Sequence, residues 1–209
     1  MFLRPRAAAG VCRDFCAVAL EHHVAAVCVP PTHVVGAVEG LHGSDVKVVA
    51  LISHPFGADT PAVKAQACRE AIAAGAQEVE VVVDLAAFAS GYPGHIREEL
   101  RRCLAGAREV NAEALVRAVI ETGTFDDRHL RLLARAVLAA EVDMLVTSSG
   151  LAPEADGLLD IALMREEVGA DLLVKAVRGA RSQVEVEELL AAGASRVGVP
   201  TADALTGGH

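Results

Sequence analysis

Three of the 19 basic residues are lysines, Lys47, Lys64 and Lys175, so chemistry that needs an amine has few carriers in this chain. Lys175 sits in the hydrophobic run DLLVKA (171–176), and Glu80 and Asp84 sit in EVEVVVD (78–84). Period-two alternation puts Glu80, Val82 and Asp84 on one side of their run and Lys175 with Leu173 on one side of theirs. A lysine and two acids brought into one ring can stabilise an oxyanion and move a proton. The same groups can also form a neutralised structural pair, and the residues alone leave both readings open. The run DMLVTSSG (143–150) ends in Thr147, Ser148, Ser149 and Gly150. Hydroxyls gathered at the exit of a buried strand favour a substrate-binding role over a simple turn cap. Cys28, within AVCVPP, reads as packing more than as a nucleophile, because no base stands beside it. His54, before Pro55, lines a pocket or shapes a turn. HExxH and CxxC spacings are absent, so neither a metal nor another cofactor is expected.

The elements that position these groups follow from periodicity. Seven β-rich runs stand out: VAAVCV (24–29), VKVVALI (46–52), EVEVVVD (78–84), LVRAVI (115–120), VDMLVT (142–147), DLLVKA (171–176) and SRVGV (195–199). Helix-length stretches fall between most of them. Val63, Ala67, Ala71 and Ile72 mark the apolar face of one; Leu130, Leu133, Ala134, Val137 and Leu138 mark another. Thr60-Pro61 starts a helix, and Ser182 with Glu185 has capping-box spacing. Gly75, Gly169 and Gly193 each close a helix just before a strand. Strands buried on both faces and joined by helices are parallel, which predicts either an open doubly wound sheet or a (β/α)8 barrel. A barrel would draw its first strand from residues 1–4, barely a stub. In either architecture ligands bind at the carboxyl ends of the strands.

With 209 residues, 53% hydrophobic and 22% charged, the chain is expected to fold as one domain over residues 1–209. The five cysteines are odd in number and scattered, and read as reduced thiols. A net charge of −9 with dispersed basic residues argues against nucleic acid as a partner. No apolar run suits a membrane helix, and MFLRPRAAAG lacks the core of a secretory signal, so a cytoplasmic location is expected.

The strand exits also carry a resemblance that spans nearly the whole chain. AVCVPPTHV is similar to AxCVxPxxV, LISHPFGA to VIGFPxGA, and AGAQEVEVVVDLAAFASG to GAxEIDMVINIGALKSG. VIETGTFDD, VDMLVTSSGL, LLVKAVRGARS and AGASRVGV are similar to IIETGxLxD, ADFIKTSTGF, VKASGGIRT and AGATRIGTS. These are segments of the deoxyribose-phosphate aldolase family, class I aldolases of the (β/α)8 fold. The resemblance implies an α/β (β/α)8 (TIM) barrel with a truncated or missing first strand. It also implies a reaction that reversibly cleaves 2-deoxyribose 5-phosphate to acetaldehyde and glyceraldehyde 3-phosphate through a lysine imine.

At the imine-forming position this chain carries Val146. The family's other strand lysine is Lys175, and its aspartate becomes Glu80. Of the phosphate loops, Gly179 and Gly198 are kept, Arg178 replaces a glycine, and Pro200 replaces a serine beside Thr201. An unperturbed lysine of pKa about 10.4 is neutral in roughly one molecule in two thousand at pH 7, so Lys175 is expected to stay an ammonium. Three readings remain. The first is a repurposed lyase or isomerase acting on a small carbonyl or anionic substrate, with Lys175, Glu80 and Asp84 catalytic and with Cys28, His54, Thr147, Ser148, Arg178, Gly179, Gly198 and Thr201 binding substrate. The second is a non-catalytic paralogue that binds a partner aldolase subunit, and the third is an ordinary aldolase. A homodimer is the expected assembly.

Overall fold

The computed structural model describes residues 9–150, 157–177, 180 and 182–200. Its strands are β1 (Ala26–Val29), β2 (Lys47–Ile52), β3 (Glu78–Val82), β4 (Leu115–Val119), β5 (Met144–Val146), β6 (Leu173–Val177) and β7 (Arg196–Gly198). Six of them lie inside the β-rich runs, and β6 runs one residue past the end of DLLVKA. They pair in parallel and in chain order, β1 through β7. Helices α1 (Ala9–Glu21), α2 (Val34–Gly40), α3 (Pro61–Ala73), α4 (Leu85–Ala89), α5 (Pro93–Val110), α6 (Asp127–Leu138), α7 (Gly157–Val168) and α8 (Gln183–Ala191) alternate with them. The architecture is the α/β barrel wall that the family resemblance implied, one of the two arrangements that the βα repetition allowed. The first-strand stub at residues 1–4 lies outside the described residues. Among the described residues no helix is long and apolar enough to cross a membrane.

Alternation along the strands divides the interior in two. Val29, Ile52, Val81, Ala118, Leu145 and Val174 point outward into one large apolar cluster with the helices. Cys28, Val49, Leu51, Val82, Val119 and Val146 point inward and form a second, smaller cluster in the lumen. The sheet must curl strongly, because Lys175 on β6 touches Glu80 on β3 at 2.5 Å. In a flat sheet, strands three places apart stand roughly 14 Å from one another.

Local signals set the helix ends. The Thr60 side chain accepts from the Val63 amide with Pro61 at the first helical position, and Ser182 accepts from the Glu185 amide. Gly75 and Gly169 follow α3 and α7 at φ of 104° and 58°, a left-handed conformation that a Cβ disfavours.

The buried face of α3 differs from the one the periodicity predicts. Val63 is 53% exposed, whereas Lys64 is fully buried beside Cys68, Ala71 and Ile72. The cause is electrostatic. Lys64 Nζ donates to Glu99 Oε2 on α5 at 2.7 Å and to the Val82 carbonyl of β3 at 2.9 Å. Glu99 Oε1 in turn accepts from the Asp84 amide at 2.9 Å. One ion pair therefore ties two helices to the exit of β3. Gly106 of α5 makes the approach possible, since a Cβ there would lie 2.6 Å from the Ala65 carbonyl oxygen.

Removing one member of a buried pair strands the other charge, at a cost of about 3–5 kcal/mol, whereas an apolar pair of similar size is nearly neutral. Lys64→Met is therefore expected to lower stability by that order in urea titrations. The double change Lys64→Met/Glu99→Leu should recover most of the loss, short of about 1 kcal/mol for the Asp84 amide bond. A double variant no more stable than the single one would contradict this account.

Candidate active site

Apolar and ionic side chains share the lumen strands: Val82 and Val119 stand two residues beyond Glu80 and Arg117 on β3 and β4. Val146 is 0% exposed and lies in register between Val119 of β4 and Lys175 of β6. Register partners in a parallel sheet point to the same face, so an isopropyl group stands beside the ammonium where the resemblance places the imine lysine. The lumen position of Val146 is settled by this register and by its apolar neighbours Val82 and Val119.

Deeper along the same strands a single carboxylate organises the charges. Glu80 Oε1 accepts from Lys175 Nζ at 2.5 Å and from Arg117 Nη1 at 3.0 Å, and its other oxygen receives the Cys28 thiol at 3.7 Å. Arg117 reaches with Nη2 to Glu78, whose Oε2 also accepts from Arg196 at 3.2 Å. The result is an alternating chain, Arg196, Glu78, Arg117, Glu80, Lys175, that runs across the lumen. Glu78, Glu80, Arg117 and Lys175 are all at most 5% exposed. Burying ions at this depth is tolerable only because each carboxylate bridges two cations.

Burial pushes the Arg117 guanidinium down to about 9, and the Arg196 charge adds to it, so Arg117 remains a cation at neutral pH. Burial, reinforced by Glu80, pushes the Cys28 thiol up to about 12. Cys28 is thus a neutral donor to a carboxylate and not a nucleophile.

The hydroxyls after β5 are already engaged. Thr147 Oγ1 accepts from the Val177 amide of β6 at 2.9 Å. Ser148 Oγ donates to Glu121 Oε2 at 2.8 Å, and the Ser149 amide donates to Glu121 Oε1 at 2.8 Å. Thr147 and Ser148 therefore stitch strand exits together, which tempers their expected role as substrate ligands. Glu121 makes these bonds from a left-handed backbone, φ 48° and ψ 70°. That conformation costs a non-glycine residue roughly 1–2 kcal/mol, which two bonds to a buried carboxylate offset.

The remaining candidates separate. Asp84 does not join Lys175: it caps α4 by accepting from the Ala87 amide at 2.9 Å and stands 3.6 Å from His95 Nε2. The chain turns into a helix two residues after β3 ends, and this carries Asp84 off the alternation that β3 obeys. His54 follows β2 in a cis peptide with Pro55; burial lowers its imidazole pKa against the pull of the Glu121 carboxylate. Gly198 borders the lysine closely, since a Cβ there would lie 3.2 Å from Lys175 Cε. Arg178, Gly179 and Thr201 lie outside the described residues. Among the described residues no group of three His, Cys, Asp or Glu side chains is placed to hold a metal.

Glu78, Arg117 and Arg196 complete this arrangement without having been singled out in the sequence, and Glu121 joins it as a residue at the exit of β4. Alternation in LVRAV could have flagged Arg117, because it shares a face with Val119 in an otherwise apolar strand.

Cys28 supplies a direct check on the lumen's electrostatics. A thiol near 12 is ionised in roughly one molecule in ten thousand at pH 8, against about a quarter for an ordinary cysteine. Iodoacetamide at pH 8 should therefore leave Cys28 unmodified in the native protein and label it after unfolding, as peptide mapping would show. Native labelling at the rate of a free thiol would refute the assignment.

No family model matches the chain. It is 39% identical over 191 residues to the deoxyribose-phosphate aldolase of Streptococcus gordonii, an alignment that covers 91% of this chain and 85% of that protein. The Streptococcus pneumoniae enzyme of the same name is 36% identical over the same shares. Among solved structures, the aldolase QR15 superposes with a TM-score of 0.89 at 27% identity, covering 97% of this chain and 89% of that one. The tetrameric deoxyribose phosphate aldolase of Aeropyrum pernix does so with a TM-score of 0.86 at 25% identity, covering 97% and 84%. Both the extent of the sequence match and the barrel geometry lead to one conclusion: this chain belongs to the deoxyribose-phosphate aldolase family.

Proposed function

We propose that this protein is a repurposed member of the family, a lyase or isomerase-type enzyme that acts on a small carbonyl substrate without forming an imine. The observation that carries this reading is Val146, fully buried and in register with Lys175. An isopropyl group cannot condense with a carbonyl, whereas the ionic chain beside it is intact. In this reading Lys175 donates to the carbonyl oxygen and stabilises the enolate oxygen that forms when the neighbouring carbon loses a proton. Glu80, hydrogen-bonded to Lys175, is the carboxylate that receives the proton, and Arg117 holds it in place. Stabilising a developing oxyanion in a site shielded from water is among the largest single contributions to enzymatic rate.

The complete burial of Val146 within the apolar lumen cluster also favours a second reading, a non-catalytic paralogue whose former imine position has become packing. Hydrogen–deuterium exchange separates the two. Small enolisable aldehydes and 2-oxo acids incubated with the protein in D2O should exchange their α-protons, read by proton NMR. Lys175→Ala should slow this by about 10²–10⁴-fold. No Lys175-dependent exchange with any carbonyl would favour the paralogue. Borohydride added with a small aldehyde should leave Lys175 unmodified while alkylating the exposed Lys47; a reduced adduct on Lys175 would overturn the imine-free mechanism.

Restoring the amine tests what else has diverged. Val146→Lys is expected to introduce measurable cleavage of 2-deoxyribose 5-phosphate into a protein that otherwise lacks it. Cleavage by the unaltered protein at a comparable rate would instead make it an ordinary aldolase and defeat the proposal.

A further inference from the structure

Helices α3 and α5 meet backbone to backbone. A Cβ built on Gly106 of α5 would lie 3.6 Å from the Cα of Ala65 on α3, so the two Cα atoms stand within roughly 5.1 Å of one another, allowing about 1.5 Å for the missing bond. That spacing falls inside the range of about 4.4–6.8 Å over which a disulfide joins two Cα atoms. The same helices are tied by the ion pair of Lys64 and Glu99, whose side chains are both fully buried.

Two thiols lie within about one turn of these contacts. Cys68 is three residues from Ala65 and four from Lys64; Cys103 is three from Gly106 and four from Glu99. Both are fully buried and unbridged. They also touch: a hydrogen bond with Cys103, with burial after it, pushes the Cys68 thiol well above its ordinary range. The other cysteines are placed differently. Cys12 and Cys16 share α1 at a separation of four. Cβ atoms so spaced on a helix are about 5–6 Å apart, against about 3.5–4.5 Å in a disulfide. Cys28 bonds to Glu80.

We propose that Cys68 and Cys103 are a redox-sensitive lock, which peroxide closes by joining α3 to α5. The step balances with hydrogen peroxide as the oxidant. One sulfur, as its thiolate, attacks a peroxide oxygen; the O–O bond breaks, a sulfenic acid forms, and the departing hydroxide leaves as water with the thiol proton. The second sulfur then displaces the sulfenic hydroxyl, which takes up the remaining proton as a second water. Peroxide gains two electrons, the two sulfurs lose them, and one S–S bond replaces two S–H bonds. The lock closes beside the pair through which Lys64 holds the Val82 carbonyl and Glu99 holds the Asp84 amide. It therefore fixes the exit of the strand that carries Glu80, whichever reaction the lumen performs.

The test treats the whole folded protein with millimolar hydrogen peroxide, removes the excess with catalase, and caps the remaining thiols with N-ethylmaleimide in urea. Trypsin should then release the segments 65–69 and 103–108 as one linked species that dithiothreitol separates. Cys12, Cys16 and Cys28 should each carry N-ethylmaleimide. Closing the loop between Cys68 and Cys103 should raise the thermal midpoint by roughly 5–15 °C, and dithiothreitol should reverse the rise. Cys68→Ala and Cys103→Ala, tested separately and checked for fold by circular dichroism before peroxide, should each lose both the linked species and the rise. Recovery of all five capped thiols from peroxide-treated, folded protein overturns the inference. So does a bond that involves Cys12, Cys16 or Cys28, or a bond between Cys68 and Cys103 that leaves the midpoint unchanged or lowers it.

Discussion

The Glu80 carboxylate, shared at one oxygen by Lys175 and Arg117, is the contact on which the rest of the site depends. A carboxylate with no exposed surface stays ionised only if cations are held against it, and the two that do so come from different distances in the sheet. Arg117 is the register neighbour of Glu80 on the adjacent strand. Lys175 is three strands away and reaches it across the lumen. The first contact needs only parallel pairing; the second needs the sheet to curl. The ionic chain and the barrel curvature are thus mutually dependent: flattening the sheet would leave Glu80 with half its counter-charge, and removing Glu80 would leave two buried cations facing one another.

Val146 takes its meaning from this frame. On an exposed strand, a valine in place of a lysine would change little beyond local solubility. Here it lies one strand from Lys175 in a buried cluster of aliphatic side chains, so a valine in place of the lysine removes the amine and fills the space with hydrocarbon. The hydroxyls that follow it bond to β6 and to Glu121, which anchors the exit of β5 to both neighbouring strands. In the proposed reading, polarisation by charge and proton transfer by a carboxylate fall to Lys175, Glu80 and Arg117.

Much of this was legible beforehand. Six of the seven strands fall inside the apolar runs and β6 passes the end of its run by one residue, because strands covered by helices are apolar at least on the outward face and are then conspicuous. The caps at Thr60 and Ser182 and the glycines after α3 and α7 acted as their types suggest, since capping is a matter of a few adjacent residues. Errors arose where a side chain answers to a distant partner. Val63 has the right spacing for the buried face of α3, yet Lys64 is drawn inside by Glu99, 35 positions further along. Asp84 has the right parity for the lumen, but β3 ends at Val82 and the aspartate caps α4.

The sequence by itself determined the alternation of strands and helices, the relation to a family, and the absence of an amine at position 146, because each of these is a property of residue type and order. Only the tertiary structure decided that Arg117 joins Lys175 on the same oxygen, that Cys28 is a donor to Glu80, and that Thr147 and Ser148 are consumed by neighbouring strands. Those pairings depend on the curl of the sheet, which sums small rotations over seven strands. A sum of that kind cannot be read from the local pattern of any one of them.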